Sequence, residues 1–265
     1  MKLGIFGGGV VGSALKHGLD RGSHEVFVYD KFNPQDKVEE VLACSIIFFC
    51  LPTPMLDSGK IELDCLEEMI FMTNLKANDD TTCVIKSTAV SGTTRKFQEK
   101  YPRLNWAFCP EFLTDINSKD DFVNTQRIII GTDKEFTFKV LEGVFKIAQF
   151  TCPIKWTTLE TAEFVKYFSN VLLATKVSLA NEMYQVAKRV GIDYDEAKEL
   201  LLMDNRFGKT HLDVPGYDGD FGMGGKCFPK DLNAFIYLAR ELGYIPYLLE
   251  EVWRTNLRVR KNIDW

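Results

Sequence analysis

Lys2-Leu3-Gly4-Ile5-Phe6-Gly7-Gly8-Gly9-Val10-Val11-Gly12, followed by a helix-like segment from about Val11 to Leu19 and then by Glu25-Val26-Phe27-Val28-Tyr29-Asp30, decides the fold of this 265-residue chain. The order is strand, G-x-G-x-x-G, helix, strand, acid, and Asp30 stands 18 residues past Gly12. The glycine pattern alone is weak. Framed by a strand, a helix and a spaced acid, it marks the first βαβ unit of a doubly wound α/β sheet.

Each part has a physical job. Gly7 allows the tight turn, Gly9 lets a pyrophosphate approach the backbone, and Gly12 lets helix and strand pack closely. The helix start offers unpaired N–H groups and a positive dipole end. Asp30 would accept hydrogen bonds from ribose hydroxyls and repel a 2′-phosphate, which favours NAD over NADP; the neighbouring Lys31 softens that preference. The competing reading is a structural turn that binds nothing.

The pattern continues as α/β. Ser45–Leu51 is a near-continuous apolar run, as buried parallel strands are, and it stops at Pro52-Thr53-Pro54. A helix is expected over Leu63 to Leu75. Cys83-Val84-Ile85-Lys86 leads to Ser87-Thr88, Trp106-Ala107-Phe108-Cys109 leads to Pro110-Glu111, and Arg127–Gly131 follows. Ligands of open α/β sheets sit outside the carboxyl ends of strands, so Thr53, Thr88 and Glu111 are candidate contacts. Each taken alone reads equally as a turn residue or a helix cap.

From Thr157 the chain turns helical. Thr157-x-x-Glu160 fits a capping box, and no Pro or Gly intervenes before Gly191. The result is a spine helix over 158–190, about 50 Å long. Lys166 and Asn170 share one face of it, amid Phe164, Val165, Tyr167 and Phe168; the alternative is a surface lysine with a polar neighbour. Further on, Gly222-Met223-Gly224-Gly225-Lys226-Cys227-Phe228-Pro229-Lys230-Asp231 leads into a helix expected from about Leu232 to Leu242. Glycines beside Cys227 leave room for a substrate. Lys226, Lys230 and a helix start favour the thiolate, which is the nucleophile. Asp231, four residues on, is placed to act as base or to orient water. A buried turn cysteine is the plainer alternative. A nicotinamide next to a cysteine can oxidise an aldehyde through a thiohemiacetal and a thioester. The expected fold is therefore a Rossmann-type doubly wound parallel sheet over 1–153, followed over 154–265 by a mostly α-helical domain with the spine helix and the cysteine.

Composition agrees with a globular enzyme. Apolar residues make up 46% and charged residues 26%, with a net charge of −5, which argues against a nucleic-acid or polybasic membrane partner. The longest uncharged apolar stretch, Cys44–Met55, is too short to span a bilayer, and Met1-Lys2 leads straight into a strand rather than a leader. Seven cysteines without C-x-x-C spacing and three histidines speak against a disulfide framework or a metal site; a cytoplasmic setting and small, core-filling cysteines are expected.

These residues resemble the nucleotide-sugar dehydrogenase family. The motifs are Gly7 to Gly12, Pro52-Thr53-Pro54, Lys86-Ser87-Thr88, Pro110-Glu111-Phe112-Leu113, Arg127 to Gly131, Ala162-Glu163 with Lys166 and Asn170, Asn181-Glu182, Asp204-Asn205-Arg206-Phe207-Gly208, and Gly224 to Asp231. The resemblance implies four-electron oxidation of a sugar C6 alcohol to a carboxylate with two NAD, UDP-glucose being the expected substrate. It implies Cys227 as nucleophile, with Lys166 and Asn170 stabilising the substrate oxygen. Asp231 and Thr88 would place water or move a proton, and Glu111 would aid substrate binding and thioester hydrolysis. Gly7, Gly9, Val10, Val11, Gly12, Asp30, Lys31, Thr53, Thr88, Asp115 and Lys230 would line NAD. Glu111, Asp115, Lys166, Asn170, Arg206 and Gly224 would line the sugar nucleotide. Arg206 would reach a neighbouring subunit's substrate, implying a homodimer through the long helix.

Departures are visible. Asp115 stands where the family usually has Glu, and Val90 where it has Pro. The stretch from Asp30 to the Ile46 strand is short, and Arg206 to Cys227 is long. After a helix expected over Leu248 to Lys261 the 265 residues hold no third, nucleotide-gripping domain; the expectation is that the protein does without it, that a separate chain supplies it, or that the sequence is a trimmed piece of a longer protein. Two other readings stay open: a non-catalytic NAD-binding dimer, and a two-domain 3-hydroxyacid dehydrogenase, which needs a helix lysine but no cysteine.

Overall fold

Four short apolar runs are buried along their whole length or nearly so: β1 (Lys2–Phe6), β3 (Ile46–Phe49), β4 (Thr82–Ile85) and β5 (Asn105–Phe108). Successive strand side chains point to opposite faces. Ile5 and Phe48 therefore join the core on one face, with Leu15 and Phe145, while Phe6, Ile47 and Phe49 join the other, with Leu66 and Phe97. With β2 (Glu25–Tyr29), β6 (Ile128–Gly131) and β7 (Ile154–Thr157) they make one seven-stranded sheet of order β2-β1-β3-β4-β5-β6-β7. All neighbours are parallel except β5 and β6, which meet antiparallel at Phe108 and Gly131. The chain steps from β1 outward to β2 and then returns past β1 to β3. That reversal is the switch point beside which α/β sheets bind ligands.

The computed structural model describes residues 1–114 and 117–265. They form two compact units, Met1–Pro54 with Glu62–Lys166, and Met55–Ile61 with Tyr167–Trp265. Residues 154–166 stay with the first unit because β7 pairs with β6 and because Leu159 and Ala162 pack into the sheet core. The boundary expected after residue 153 falls short of that point.

Helices α1 (Val10–Leu19), α2 (Val38–Leu42), α3 (Asp64–Lys76), α4 (Thr93–Lys100), α5 (Ser118–Val123) and α6 (Glu135–Ile147) alternate with the strands, and the spine helix is α7 (Leu159–Val190), ended by Gly191 at φ +74°. Its cap differs from expectation. Thr157 belongs to β7, its carbonyl accepting from Thr132 N at 3.0 Å, so the cap moves on by one: Thr158 Oγ1 accepts from Thr161 N at 3.2 Å. Glu160 instead accepts from Arg95 Nε at 2.8 Å. In the second unit, α8 (Tyr194–Leu201), not anticipated, is capped by Asp193. The next helix, α9 (Phe228–Glu241), begins directly after Cys227 rather than at Leu232, with Pro229 in its first turn where a missing N–H costs nothing. The last, α10 (Tyr247–Val259), packs through Val252 against Val171, Ala174, Met223, Leu232 and Ile236.

Cys44, Cys83 and Cys109 are buried in the sheet unit. Burial pushes the Cys44 thiol up to about 11 and that of half-buried Cys50 up to about 12, as inert packing cysteines require. Among the described residues no helix is long and apolar enough to cross a membrane.

Candidate functional site

The glycine turn follows β1 directly. Gly7 has φ +96°, and a Cβ there would stand 2.3 Å from the Cys50 carbonyl oxygen. A Cβ at Gly12 would stand 1.8 Å from the Gly7 oxygen. The chain itself thus forbids side chains at both positions. Gly9 is different: a Cβ there meets nothing within 4 Å. No contact inside the chain requires glycine at that place, so the open ground above it suits an approaching ligand. Gly9 also sits at the N-cap of α1 (Val10–Leu19), which has no side-chain cap, so the first N–H groups, beside exposed Val10 and half-buried Val11, remain for an anion.

Asp30, at the end of β2, holds this turn. Its carboxylate accepts from Gly8 N at 2.8 Å, Phe32 N at 2.9 Å and Asn33 N at 3.1 Å. The Gly8 N–H above all, then that of Phe32, keeps its carboxyl below the usual range. It is an anion beside exposed Lys31, with a lone pair left on Oδ2 for a ribose hydroxyl.

Two further strand ends lie in the same unit. Ser87 Oγ accepts from Leu51 N at 2.8 Å and donates to the Phe49 carbonyl at 3.2 Å. It latches the end of β3, with buried Thr53, to the end of β4, with half-buried Thr88. Past β5, Glu111 and Lys166 form a buried ion pair, Nζ to Oε1 at 2.7 Å. Burial would raise the Glu111 carboxyl, but the Lys166 ammonium, together with the Leu113 N–H at 2.9 Å, holds it below its usual range. The ammonium also lies 6.0 Å from the Phe112 ring centre. The structure thus joins two residues that the sequence placed in separate roles. It adds Lys86, 3% exposed, whose Nζ donates to the Cys109 carbonyl at 3.0 Å. The available signal was a lysine closing an apolar strand, which must find a buried partner. Asp115 lies outside the described residues.

In the second unit Cys227 is half-buried at the N-cap of α9. Its carbonyl accepts from Asp231 N at 2.9 Å. Asp231, 1% exposed, takes Asn170 Nδ2 at 2.6 Å on one carboxylate oxygen and Lys230 Nζ at 2.5 Å on the other. Asn170, Lys230 and Asp231 thus form one cluster at the first turn of the helix that Cys227 opens. Lys230, expected at the cofactor, is here the partner of Asp231. Gly224 lies against the Arg260 guanidinium, where a Cβ would clash. Arg206 stands apart, 84% of its side chain exposed and paired with Asp204.

Comparison with known proteins adds two family matches. The NAD binding domain of the UDP-glucose/GDP-mannose dehydrogenase family matches residues 31–149, and the central domain of the same family matches 160–258. The chain is 31% identical over 242 residues to the UDP-glucose 6-dehydrogenase of Haloferax volcanii, covering 85% of this chain and 55% of that one. It is similar to the solved UDP-glucose dehydrogenase of Pyrobaculum islandicum at 28% identity and TM-score 0.88, over 97% of this chain and 68% of the other. Likeness to a 3-hydroxyisobutyrate dehydrogenase of Mycobacterium tuberculosis, at 15% identity and TM-score 0.77 over 97% and 92%, is one of fold alone. The chain spans about half the length of the curated relatives it matches.

Proposed function

The chain belongs to the UDP-glucose/GDP-mannose dehydrogenase family, and from that premise we propose that it oxidises the C6 alcohol of a nucleotide sugar, UDP-glucose first among them, to the carboxylate with NAD. The observation that carries the reading is the cluster at the start of α9: Cys227 at the N-cap, with buried Asp231 held on both oxygens by Asn170 and Lys230.

NAD fits the first unit: Gly9 leaves an approach open, the uncapped α1 N–H groups would hold a diphosphate, and the anionic Asp30 would suit a ribose hydroxyl and not a 2′-phosphate. Bound there, it supplies the hydride acceptor for each of two oxidation rounds. The residues of the chain do the rest. Lys166 binds the alcohol oxygen and stabilises negative charge as it develops there. Glu111, its anionic partner, is placed to take a proton as Lys166 turns to substrate. The Cys227 thiolate adds to the C6 aldehyde, giving a thiohemiacetal; loss of a second hydride from that carbon leaves a thioester. Asp231 orients the water that cleaves it, releasing carboxylate and thiol. Thr88 and Thr53 are read as cofactor contacts at their strand ends, and Asp115, Arg206 and Gly224 as substrate contacts. A homodimer is read from α7, where Leu172, Leu179, Met183, Val186 and Val190 are all exposed at helical spacing.

The test is near-ultraviolet absorbance of NADH with UDP-glucose and NAD. Two NADH per sugar are expected, and no turnover from Cys227→Ser. A Cys227→Ser chain that retains full activity on a 3-hydroxyacid would overturn the reading in favour of a hydroxyacid dehydrogenase. A second reading is an NAD-binding subunit that turns over only together with a separate chain. It predicts calorimetric NAD binding without NADH formation from any nucleotide sugar.

A further inference from the structure

Cys227 follows a stretch that orders at high entropic cost. Gly222 and Gly225 both have φ +71°, and Gly224 lies between them. Yet the backbone here is held by side chains. Asn256 on α10, fully buried, accepts from Met223 N at 2.7 Å through Oδ1 and donates to the Met223 carbonyl at 3.0 Å through Nδ2. One amide thus pairs with both backbone groups of a residue, as a neighbouring strand would. Asn181 on α7, 1% exposed, accepts from Gly222 N at 3.0 Å. The fit is tight: a Cβ at position 222 would stand 2.3 Å from Asn256 Oδ1. On the other side of Cys227, Asp231 is held by Asn170. Asn170 and Asn181 lie three turns apart on one face of α7, about 16 Å along its axis. The cysteine segment is therefore pinned before and after the thiol.

We propose that Asn256, with Asn181, is a positioning residue for Cys227: the two amides fix the glycine turn and so set the thiol at the first turn of α9. The inference rests on the reading of Cys227 as nucleophile, and its test does not depend on turnover. Removing the Asn256 amide leaves the Met223 N–H and C=O buried without partners. The turn then loosens, and the thiol leaves the helix start that favours its thiolate.

The experiment is alkylation of the full chain by iodoacetamide across a pH series, read by peptide mass spectrometry, with exposed Cys65 as internal reference. NAD affinity by calorimetry monitors the fold of the first unit. Asn256→Ala is expected to move the Cys227 profile to higher pH than in wild type, with the Cys65 profile and NAD affinity unchanged. A Cys227 profile superimposable on wild type would overturn the proposal. If Asn256→Ala does not fold, Asn181 decides. Asn181→Ala is expected to shift the profile, and Asn181→Asp, which keeps an acceptor for Gly222 N, to restore it; an unshifted Asn181→Ala overturns the proposal. Failure of the underlying reading shows separately, as an absence of NADH from wild type supplied with nucleotide sugars.

Discussion

Glu163 is a carboxylate without solvent and without a cation. It is fully buried on α7, and it caps a different helix: Oε2 accepts from Gly92 N at 2.6 Å, and Oε1 accepts from Thr94 N at 2.8 Å and Thr94 Oγ1 at 2.6 Å. The helix it caps, α4 (Thr93–Lys100), has Gly92 at φ +94° as N-cap and no side-chain cap of its own. Burial pushes the Glu163 carboxyl up to about 7, the three hydrogen bonds from Thr94 and Gly92 notwithstanding, and the nearby Glu160 adds to the rise. Glu160 is itself neutralised by Arg95, which also pairs with Asp133. A carboxyl at 4.5 when unfolded and about 7 when folded binds more protons in the native state between those values. Its stabilisation is therefore full below about pH 4.5 and is lost as pH rises through 7. The whole difference is about 3 kcal/mol, of which about 2 kcal/mol falls between roughly pH 5.5 and 8.5. The assay is urea unfolding at a series of pH values, followed through Trp106, which stacks on Phe97 of α4 at 5.8 Å, in a background lacking the other three tryptophans, Trp156, Trp253 and Trp265. Glu163→Gln keeps one acceptor and turns an N–H toward another N–H. It should cost about 1–3 kcal/mol at low pH, and the gap to wild type should close by about 2 kcal/mol as pH rises. Parallel pH curves for the two proteins would refute the reasoning.

The glycine turn separates binding from folding: Gly12→Ala should lower the melting temperature of the first unit, because its Cβ overlaps the Gly7 oxygen. Gly9→Val, into open space, should leave melting nearly unchanged and weaken NAD binding at least tenfold by calorimetry. Glu111→Gln removes the anion from a buried pair and should destabilise the first unit by about 3 kcal/mol in urea; Lys166→Met with Glu111→Gln should recover much of that loss. Asp30→Asn should weaken NAD and strengthen NADP relative to it, since the carboxylate charge that repels a 2′-phosphate is gone; an unchanged ratio of the two affinities would count against the role given to Asp30.

Local chemistry was legible in the sequence, and distant pairing was not. The β1 strand and the acid after β2 stand where the sequence placed them, and α1, read from Val11 to Leu19, starts one residue earlier, because strand, turn and helix signals act over a few residues. The end of α7 at Gly191 was legible for the same reason. Its start was missed by one residue because two threonines compete for the cap, and the pairing of β7 with β6, set far off in sequence, decides between them. Asn170, Gly92 and Asn256 lie 61, 71 and 33 residues from their partners Asp231, Glu163 and Met223, and no periodicity encodes such distances. α9 starts at Phe228, ahead of the expected Leu232, because the proline at 229 suits a first helical turn.

One signal for the site was nonetheless present along α7. Its buried polar residues are Glu163, Lys166, Asn170, Ser178 and Asn181, spaced in steps that keep to one stripe of a helix. Ala174 occupies the remaining place in the row and is fully buried. A buried stripe normally favours apolar side chains, since every polar group removed from water must recover its hydrogen bonds. Here each one does: Glu163 with Gly92 and Thr94, Lys166 with Glu111, Asn170 with Asp231, Ser178 with the Val252 carbonyl at 3.1 Å, and Asn181 with Gly222. Leucine at these places would serve stability as well or better, because a buried polar pair returns little more than its desolvation takes. What the polar stripe secures is position. Its partners are a helix start, a buried carboxylate at a strand end, the first turn after Cys227 and the glycine turn before it. Within each unit the helix is therefore a template: Glu163 and Lys166 fix a helix start and a strand-end carboxylate in the first, and Asn170 and Asn181 fix the turns on either side of Cys227 in the second.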